Sequence, residues 1–396
     1  MAFFIFFQVP LIVSANEIPL KAAFIRDHQL WIKENDIETQ LTINKYVTQA
    51  QWSFDGRYLA YLMADSPESS RYLVIYDLEN RESSHPTHYD IETDNFKWAP
   101  NTNKLAFLMD RALNTIQINK GLIENYENIS LGVSDFEWFP NGEALIVSSM
   151  AQLLPTGWGP IRLFQVPVDT HLKTTPFYTI ETNEDDFFAI EVKNFTWSSD
   201  GTWLSFIASP TASLSNDTTT LCVLSSTGTH FHRLGNMLGN KDWIKWAPNT
   251  NQLAFVSGEG RFFVENKQLS LTDITNWKAK QDYTPNGYVD LAIEWLTPLE
   301  LIVARSIEHK NWSEGPVPTS FTSLYLINKD TNEQTQLTFP KNNEIDSSPQ
   351  VINSKITWFR QKENTNLGEV WIKDSIDGNE YLWLKNIDTP PIFSMN

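Results

Sequence analysis

The stretch Trp52-Ser-Phe-Asp-Gly-Arg-Tyr-Leu-Ala-Tyr61 decides the fold, because its pattern returns five more times along the chain. Each copy begins with a tryptophan, continues through a tight turn and ends in an apolar strand. The tryptophans that begin the copies are Trp52, Trp98, Trp138, Trp197, Trp246 and Trp295. They recur at intervals of roughly 40–60 residues, and a period in that range built from short strands predicts a propeller or solenoid array.

One copy, read with the residues around it, predicts four strands. A short strand over 47–52 leads into an Asp-Gly turn, which favours the left-handed backbone of a tight hairpin. An apolar strand over 58–63 follows, then a third strand over 72–77 and a weaker fourth strand. Four antiparallel strands with tight turns are typical of one propeller blade. We expect the tryptophan to lie between neighbouring blades, where its large apolar area is buried.

The two ends of the chain complete the pattern. Three strands precede the first tryptophan, over residues 22–26, 29–33 and 38–42, and they lack an inner strand. The tail at 391–395 can supply that strand, so that the termini share one blade and cover the edges of an open array. The sequence therefore predicts an all-β propeller of eight four-stranded antiparallel blades. If the Trp295 copy is not a true repeat, the propeller has seven blades, and six blades are the smallest number compatible with the pattern.

The repeats resemble the Pro-Asp type of WD40-like repeat found in TolB, whose blades carry Trp-Ser-Pro-Asp-Gly before an apolar strand. Trp52-Ser-Phe-Asp-Gly and Trp197-Ser-Ser-Asp-Gly lack only the proline, whereas Trp98-Ala-Pro-Asn and Trp246-Ala-Pro-Asn keep the proline. The resemblance spans almost all of residues 16–396 and implies a single propeller domain that binds partners outside the cytoplasm. Related repeats also occur in peptidases of the prolyl-oligopeptidase type, but the Gly-X-Ser-X-Gly motif of their hydrolase domain does not occur here.

Composition and the N-terminal residues bear on location and partners. The net charge of −18 repels phosphates, so nucleic-acid binding is disfavoured, and a basic partner is compatible with it. Residues 3–13 form an apolar run too short to span a bilayer, followed by Val13-Ser14-Ala15, which predicts a signal peptide cleaved near Ala15. A buried strand is the other interpretation of that run. We expect a bacterial, secreted or cell-envelope monomer without a membrane span in the mature chain.

Acidic residues shortly before the repeated tryptophan, or its equivalent, are the first candidate binding residues. Inner strands surround the channel of a propeller, so carboxylates at their starts would ring its mouth. Converging carboxylates suit a Ca²⁺ ion or the basic side chains of a peptide, although aspartate is also common where turns lead into strands. The sequence thus predicts either no cofactor or a Ca²⁺ ion in the channel. These candidates are Asp94, Asp135, Asp242, Asp290 and Asp346.

Two long loops supply the second set of candidates. The loops that join strands two and three of a blade lie on the same face as the connections between blades. The longest of these loops carry Trp158 and Trp312, two tryptophans outside the repeat, among Gly and Pro residues. Long aromatic loops on a rigid scaffold are common binding sites, although packing over the channel is an equal alternative.

The sequence favours a non-catalytic scaffold that binds a protein or peptide, and it predicts no catalytic residue. The alternative is a propeller enzyme of the lyase, glycosidase or lactonase type, in which carboxylates or a Ca²⁺ ion at the channel mouth act on a substrate. A purely structural spacer is the third interpretation. Cys222 is the only cysteine, which excludes an intramolecular disulfide.

Overall fold

The computed structural model is an all-β ring of eight four-stranded antiparallel sheets, as the repeats predicted. It describes residues 19–86, 95–168, 173–181, 187–210, 218–275 and 280–395. The predicted signal peptide at 1–15 and the candidate Asp94 lie outside these residues.

Seven blades follow one another in chain order, each with its first strand innermost. Blade 8 is shared between the termini and contains β1 (Lys21–Arg26), β2 (Gln29–Glu34), β3 (Ile37–Gln40) and the inner strand β34 (Ile392–Phe393). Blade 1 contains β4 (Tyr46–Trp52), β5 (Tyr58–Ala64), β6 (Tyr72–Asp77) and β7 (Glu82–Ser84). Blade 2 contains β8 (Phe96–Trp98), β9 (Lys104–Met109), β10 (Ala112–Asn119) and β11 (Leu122–Leu131).

Blades 3 to 5 include the one inserted hairpin and the one short helix of the described chain. Blade 3 contains β12 (Asp135–Trp138), β13 (Ala144–Ser148), β16 (Ile161–Pro167) and β17 (Thr175–Ile180), with a hairpin of β14 (Leu153–Leu154) and β15 (Gly157–Trp158) between β13 and β16. Blade 4 contains β18 (Glu191–Trp197), β19 (Trp203–Ser209), β20 (Thr219–Ser225) and β21 (Phe231–Met237). A 3₁₀ turn, η1 (Lys241–Trp243), precedes blade 5, which contains β22 (Ile244–Trp246), β23 (Gln252–Ser257), β24 (Gln268–Asp273) and β25 (Gln281–Asp282).

Blades 6 and 7 complete the ring. Blade 6 contains β26 (Tyr288–Thr297), β27 (Glu300–Ile307), β28 (Ser323–Asn328) and β29 (Gln334–Gln336). Blade 7 contains β30 (Glu344–Ile352), β31 (Lys355–Lys362), β32 (Gly368–Lys373) and β33 (Glu380–Ile387). The predicted closure is confirmed, because β34 pairs with β1 through Ala22–Phe393 and Ala23–Ile392.

The repeated tryptophans lie between blades, as expected. Each donates its indole N–H to a main-chain carbonyl of the preceding blade's inner strand or of the segment leading from it, at distances of 2.8–3.1 Å. The donor and acceptor pairs are Trp52–Ile392, Trp98–Gln51, Trp138–Lys97, Trp197–Trp138, Trp246–Thr196 and Trp295–Lys245. Each bond gives the indole nitrogen a partner and links two neighbouring blades. The apolar core likewise lies between blades, since Ile207, Phe255 and Val303 of three successive blades share one cluster.

The Asp-Gly turns add contacts between blades on the side opposite the inner-strand starts. Gly56 and Gly201 have φ of 65° and 68°, which glycine adopts without strain. Asp200 accepts hydrogen bonds from Ser198 Oγ at 2.7 Å and from Asn251 Nδ2 of the next blade at 3.0 Å. We call this side the lower face. The upper face carries the starts of the inner strands and the loops between the second and third strands of each blade.

Candidate functional site

The central channel contains two cavities, of about 680 and 460 Å³. Blades 5 to 8 line the larger cavity, and blades 1 to 4 line the smaller one. Lys241 of η1 lines both cavities and therefore lies at the boundary between them. The two cavities differ in chemistry, so each half of the channel wall is considered separately.

Amide and charged side chains form the wall of the smaller cavity, which we call the polar half. Lys97 Nζ contacts Glu137 Oε2 of the next blade at 2.8 Å, and Lys193 Nζ contacts Glu191 Oε1 at 2.7 Å. Burial alone would lower the pKa of Lys97, but the charges of Glu137 and Asp135 raise it above its usual value. Lys97 and Lys193 are thus neutralised by neighbouring carboxylates. The same wall also contains the amide side chains of Gln49, Gln51 and Asn95.

The wall of the larger cavity, which we call the apolar half, presents hydrophobic side chains to the channel. Leu291, Val351 and Ile392 are only half-buried, and they line this cavity together with Pro349 and Pro390. The inner strands β26 and β30 each have a register irregularity, between Asp290 and Ala292 and between Ser347 and Gln350. Such bulges redirect side chains. Here they occur where Leu291 and Pro349 line the cavity.

Asp135 lies in the polar half and binds three neighbouring groups. Its Oδ1 accepts hydrogen bonds from Asn95 Nδ2 of blade 2 and from the Phe136 N–H at 2.8 Å. Its Oδ2 accepts from the Asn194 N–H of blade 4 at 2.7 Å. The residue is buried, and its carboxylate connects the inner strands of three successive blades.

Asp290 and Asp346 are fully buried and each is held by an arginine on the adjacent strand. Arg305 binds both oxygens of Asp290 at 2.7 and 2.9 Å, and Arg360 binds both oxygens of Asp346 at 2.6 and 2.8 Å. Bidentate pairing of this kind is strong and specific. Burial would lower the pKa of Arg360, but its hydrogen bond to Asp346 and the neighbouring carboxylates raise it above its usual value. Both aspartates therefore face their own arginines.

Asp242 differs from the other described candidates because its carboxylate is exposed. It lies in η1 and lines the larger cavity with Lys241. Within the residues that the structure describes, no group of three or more His, Cys, Asp or Glu side chains is arranged to hold a metal ion. The described candidates thus occupy three environments: a hydrogen-bonded link between blades, two arginine pairs and one exposed site at the channel mouth.

Trp312 packs against the neighbouring loop of blade 5 on the upper face. Its ring lies 4.6 Å from Phe262 in an edge-to-face arrangement, and the His309 N–H donates to the Val264 carbonyl at 2.8 Å. Phe263 of the same loop contacts Trp243 of η1 at 5.5 Å. The loop of residues 308–322 therefore joins an aromatic cluster that extends to the channel mouth.

Trp158 lies on the hairpin β14–β15, which projects from the upper side of blade 3. Leu153 and Trp158 are cross-strand partners and are 70% and 36% exposed. The hairpin is anchored at its base, where the Ala151 N–H donates to the Ile190 carbonyl at 2.8 Å. An apolar hairpin tip is thus presented to solvent on a fixed base.

Exposed large apolar side chains are concentrated on the upper face. By strand direction, this face carries Ile43, Tyr72, Leu131, Leu153, Leu154, Trp158, Phe263, Tyr288, Ile307, Val317, Phe321, Phe339 and Leu367. The lower face of the described chain carries Ile37, Phe54, Leu122, Leu299, Tyr381, Leu382 and Met395, and Tyr126 lies midway along β11. On the upper face, Thr319 donates to Glu363 at 3.0 Å and so joins the loops of blades 6 and 7. Apolar surface that spans adjacent blades is typical of an interaction site.

Sequence reasoning did not select Phe262, Phe263 or Lys241 as site residues. The sequence Arg261-Phe262-Phe263 between two apolar strands was an available signal, since loops on a rigid scaffold commonly carry binding residues. Lys241 gave no such signal. Its position at the boundary of the cavities depends on the 3₁₀ turn that places it there.

Comparisons with known proteins support the fold alone. No family model matches the chain, and no curated protein is significantly similar to it. A solved structure of a eukaryotic initiation factor has a TM-score of 0.61 at 14% identity, covering 94% of this chain and 87% of its own. The dihydro-haem d1 dehydrogenase NirN has a TM-score of 0.63 at 13% identity, covering 98% of this chain and 78% of its own.

Puromycin hydrolase is also similar in fold, with a TM-score of 0.51 at 14% identity over 87% of this chain. The match covers 54% of the hydrolase, so this chain spans about half of its length. Proteins with such different activities share a propeller, and a shared fold does not imply a shared function. In the described part of the chain, no helix is long and apolar enough to cross a membrane.

Proposed function

We propose that this protein is a non-catalytic binding propeller of the TolB type, which captures a protein or peptide through its upper face. The observation that carries the proposal is the concentration of exposed apolar side chains on that face. Within it, Phe321, Phe339 and Leu367 lie on consecutive loops of blades 6 and 7 and are 40%, 73% and 41% exposed. Binding residues are commonly carried on loops that a rigid scaffold positions.

The aromatic composition of this face supports a macromolecular partner. Phe and Trp side chains are enriched at the centres of protein interfaces, where they bury large apolar areas with few lost rotamers. The exposed hairpin of Trp158 lies on the same face of the propeller, at blade 3. A partner with basic residues around an apolar centre would also be attracted by the net charge of −18.

The proposed location is the cell envelope or the exterior of a bacterium, after cleavage near Ala15. The apolar run at 3–13, followed by small residues, supports this part of the proposal. N-terminal sequencing of the protein isolated from its native host tests it. A mature N-terminus close to Asn16 is expected, whereas an uncleaved chain recovered from the cytoplasm would contradict it.

Crosslinking and pull-down from the native cell surface tests the binding function. The triple variant Phe321→Ser, Phe339→Ser, Leu367→Ser removes apolar area from the upper face without touching a buried core position. The matched control Phe54→Ser, Leu122→Ser, Leu299→Ser removes similar area from the lower face. The partner captured by the natural chain should be lost with the first variant and retained with the second. Equal capture by both variants would refute the assignment of the upper face.

A further inference from the structure

Two opposite charges at the channel mouth are unpaired. Neither the side chain of Lys241 nor that of Asp242 forms a hydrogen bond or ion pair with the described residues, and both are exposed. By contrast, the other lysines that line the two cavities, Lys97, Lys193 and Lys245, each contact a glutamate within 3 Å. The charges of η1 therefore remain available to a ligand.

The backbone of η1 fixes these two charges in place. Trp243 is buried and donates its indole N–H to the Leu291 carbonyl of blade 6 at 2.6 Å. Asn240 Oδ1 accepts from the Asp242 N–H at 3.0 Å and so caps the turn. Successive side chains of a 3₁₀ turn point about 120° apart. Lys241 and Asp242 are thus held beside each other without neutralising each other.

Beneath this pair lies a cavity of about 680 Å³ with an apolar wall. This volume is within the range of about 300–1,000 Å³ that is common for ligand pockets. Leu291, Val351 and Ile392 face its interior while only half-buried, so part of their apolar surface lies open to the channel. An apolar ligand in contact with this wall would remove that surface from water.

We propose that this cavity binds a short zwitterionic peptide with apolar side chains. The peptide carboxylate contacts Lys241, its ammonium group contacts Asp242, and its side chains lie against Leu291 and Ile392. A simple anion would be repelled by Asp242 and a simple cation by Lys241, whereas a zwitterion satisfies both. This inference rests on the proposed binding function, since it names a ligand class for the channel that opens onto the upper face.

Calorimetric titration with four forms of one dipeptide tests the proposal. The probes are Leu-Phe with free ends, its N-acetyl form, its C-terminal amide and the form blocked at both ends. The natural chain should bind the free form about tenfold or more tighter than either singly blocked form, because each block removes a charged contact. Lys241→Met should abolish the preference for a free carboxylate over the amide. Asp242→Asn should abolish the preference for a free amine over the acetyl form.

A matched pair of controls lies outside the channel. Lys329 and Asp330 have the same order in the chain but lie in the turn after β28, so Lys329→Met and Asp330→Asn should leave all four affinities unchanged. Leu291→Ser should weaken all four probes together. Equal binding of the four forms to the natural chain, or no binding of the free dipeptide up to millimolar concentration, would overturn the proposal.

The upper-face variant separates this inference from the proposed function. Phe321, Phe339 and Leu367 do not line the cavity, so the variant that loses the captured partner should still bind free Leu-Phe. Partner capture without dipeptide binding would overturn the channel site alone. If the dipeptide binds but the upper-face variant still captures the partner, the proposed partner surface alone would be overturned.

Discussion

The polar half of the channel wall, from blades 1 to 4, and the apolar half, from blades 5 to 8, hold their buried aspartates in different ways. In the polar half, Asp135 accepts only uncharged N–H donors, from three blades. In the apolar half, Asp290 and Asp346 are each bound by an arginine within their own blade. Aspartates near the starts of the inner strands thus link blades in one half and stabilise single blades in the other.

This difference follows from the solvation of each wall. The wall of the polar half offers Asp135 three N–H donors and the nearby charge of Lys97, so this carboxylate needs no direct ion pair. An apolar wall offers neither, and a buried carboxylate there needs a full opposite charge. The arginine pairs therefore allow the wall beside them to remain apolar, and it is this wall that gives the larger cavity its hydrophobic surface.

The largest expected effect comes from breaking a buried arginine pair. Asp290→Ala leaves Arg305 buried with the uncharged Gln334 as its remaining hydrogen-bond partner. Removing one member of a buried pair costs about 3–5 kcal/mol. Asp346→Ala should cost less, because Arg360 keeps a contact to Glu380 at 3.2 Å. Urea unfolding of the two variants measures the difference.

The double variant Asp290→Leu with Arg305→Met is the control for this prediction. Replacing both charges by apolar groups leaves no unpaired charge, so most of the stability lost in Asp290→Ala should return. Asp65→Ala, which breaks the exposed pair with Lys45, should cost less than about 1 kcal/mol. If Asp290→Ala were as mild as Asp65→Ala, the distinction between the two halves would fail.

A smaller loss is expected from Asp135→Asn in the polar half. All three groups around this carboxylate are N–H donors, and an asparagine offers them one oxygen and one NH₂ group. One donor then faces another, which costs about 1–3 kcal/mol. Asp242→Asn, at the exposed position, should leave the free energy of unfolding unchanged. If Asp135→Asn lost more free energy of unfolding than Asp290→Ala, the comparison between the two halves would be wrong.

The repeat alone was sufficient to predict the blades, the junction tryptophans and the shared eighth blade. The roles of the aspartates could not be predicted in the same way, because they depend on which residues lie opposite them on the adjacent strand. Asp290 lies opposite Arg305, and Asp346 lies opposite Arg360, in the register of adjacent strands. The sequence shows each Asp followed by its Arg 15 or 14 residues later, but whether the two side chains meet depends on the register of the strands. Asp135 has a serine opposite it instead, and its partners come from other blades.

An effect smaller than that of Asp135→Asn is expected at Asp200 on the lower face, outside both halves of the channel. Burial alone would raise its pKa, but hydrogen bonds from Ser198, Thr202 and Asn251 lower it to about 2. A carboxylate whose folded pKa is lowered stabilises the fold above its unfolded pKa, near 3.8, and loses that contribution as the pH falls towards 2. The stability difference between the natural chain and Asp200→Asn should therefore shrink between pH 4 and pH 2.

The variant Ser198→Ala tests the same prediction in a second way, because it removes one of the hydrogen bonds that lower the pKa of Asp200. The folded pKa then moves back towards its ordinary value, so the pH window in which Asp200 contributes stability should narrow. Unfolding by urea at half-unit pH steps measures both variants. The side chain of Asp200 is exposed, so the effect should stay below that of Asp135→Asn. A larger effect would mean that the lower-face turns, and not the channel carboxylates, dominate the coupling between blades.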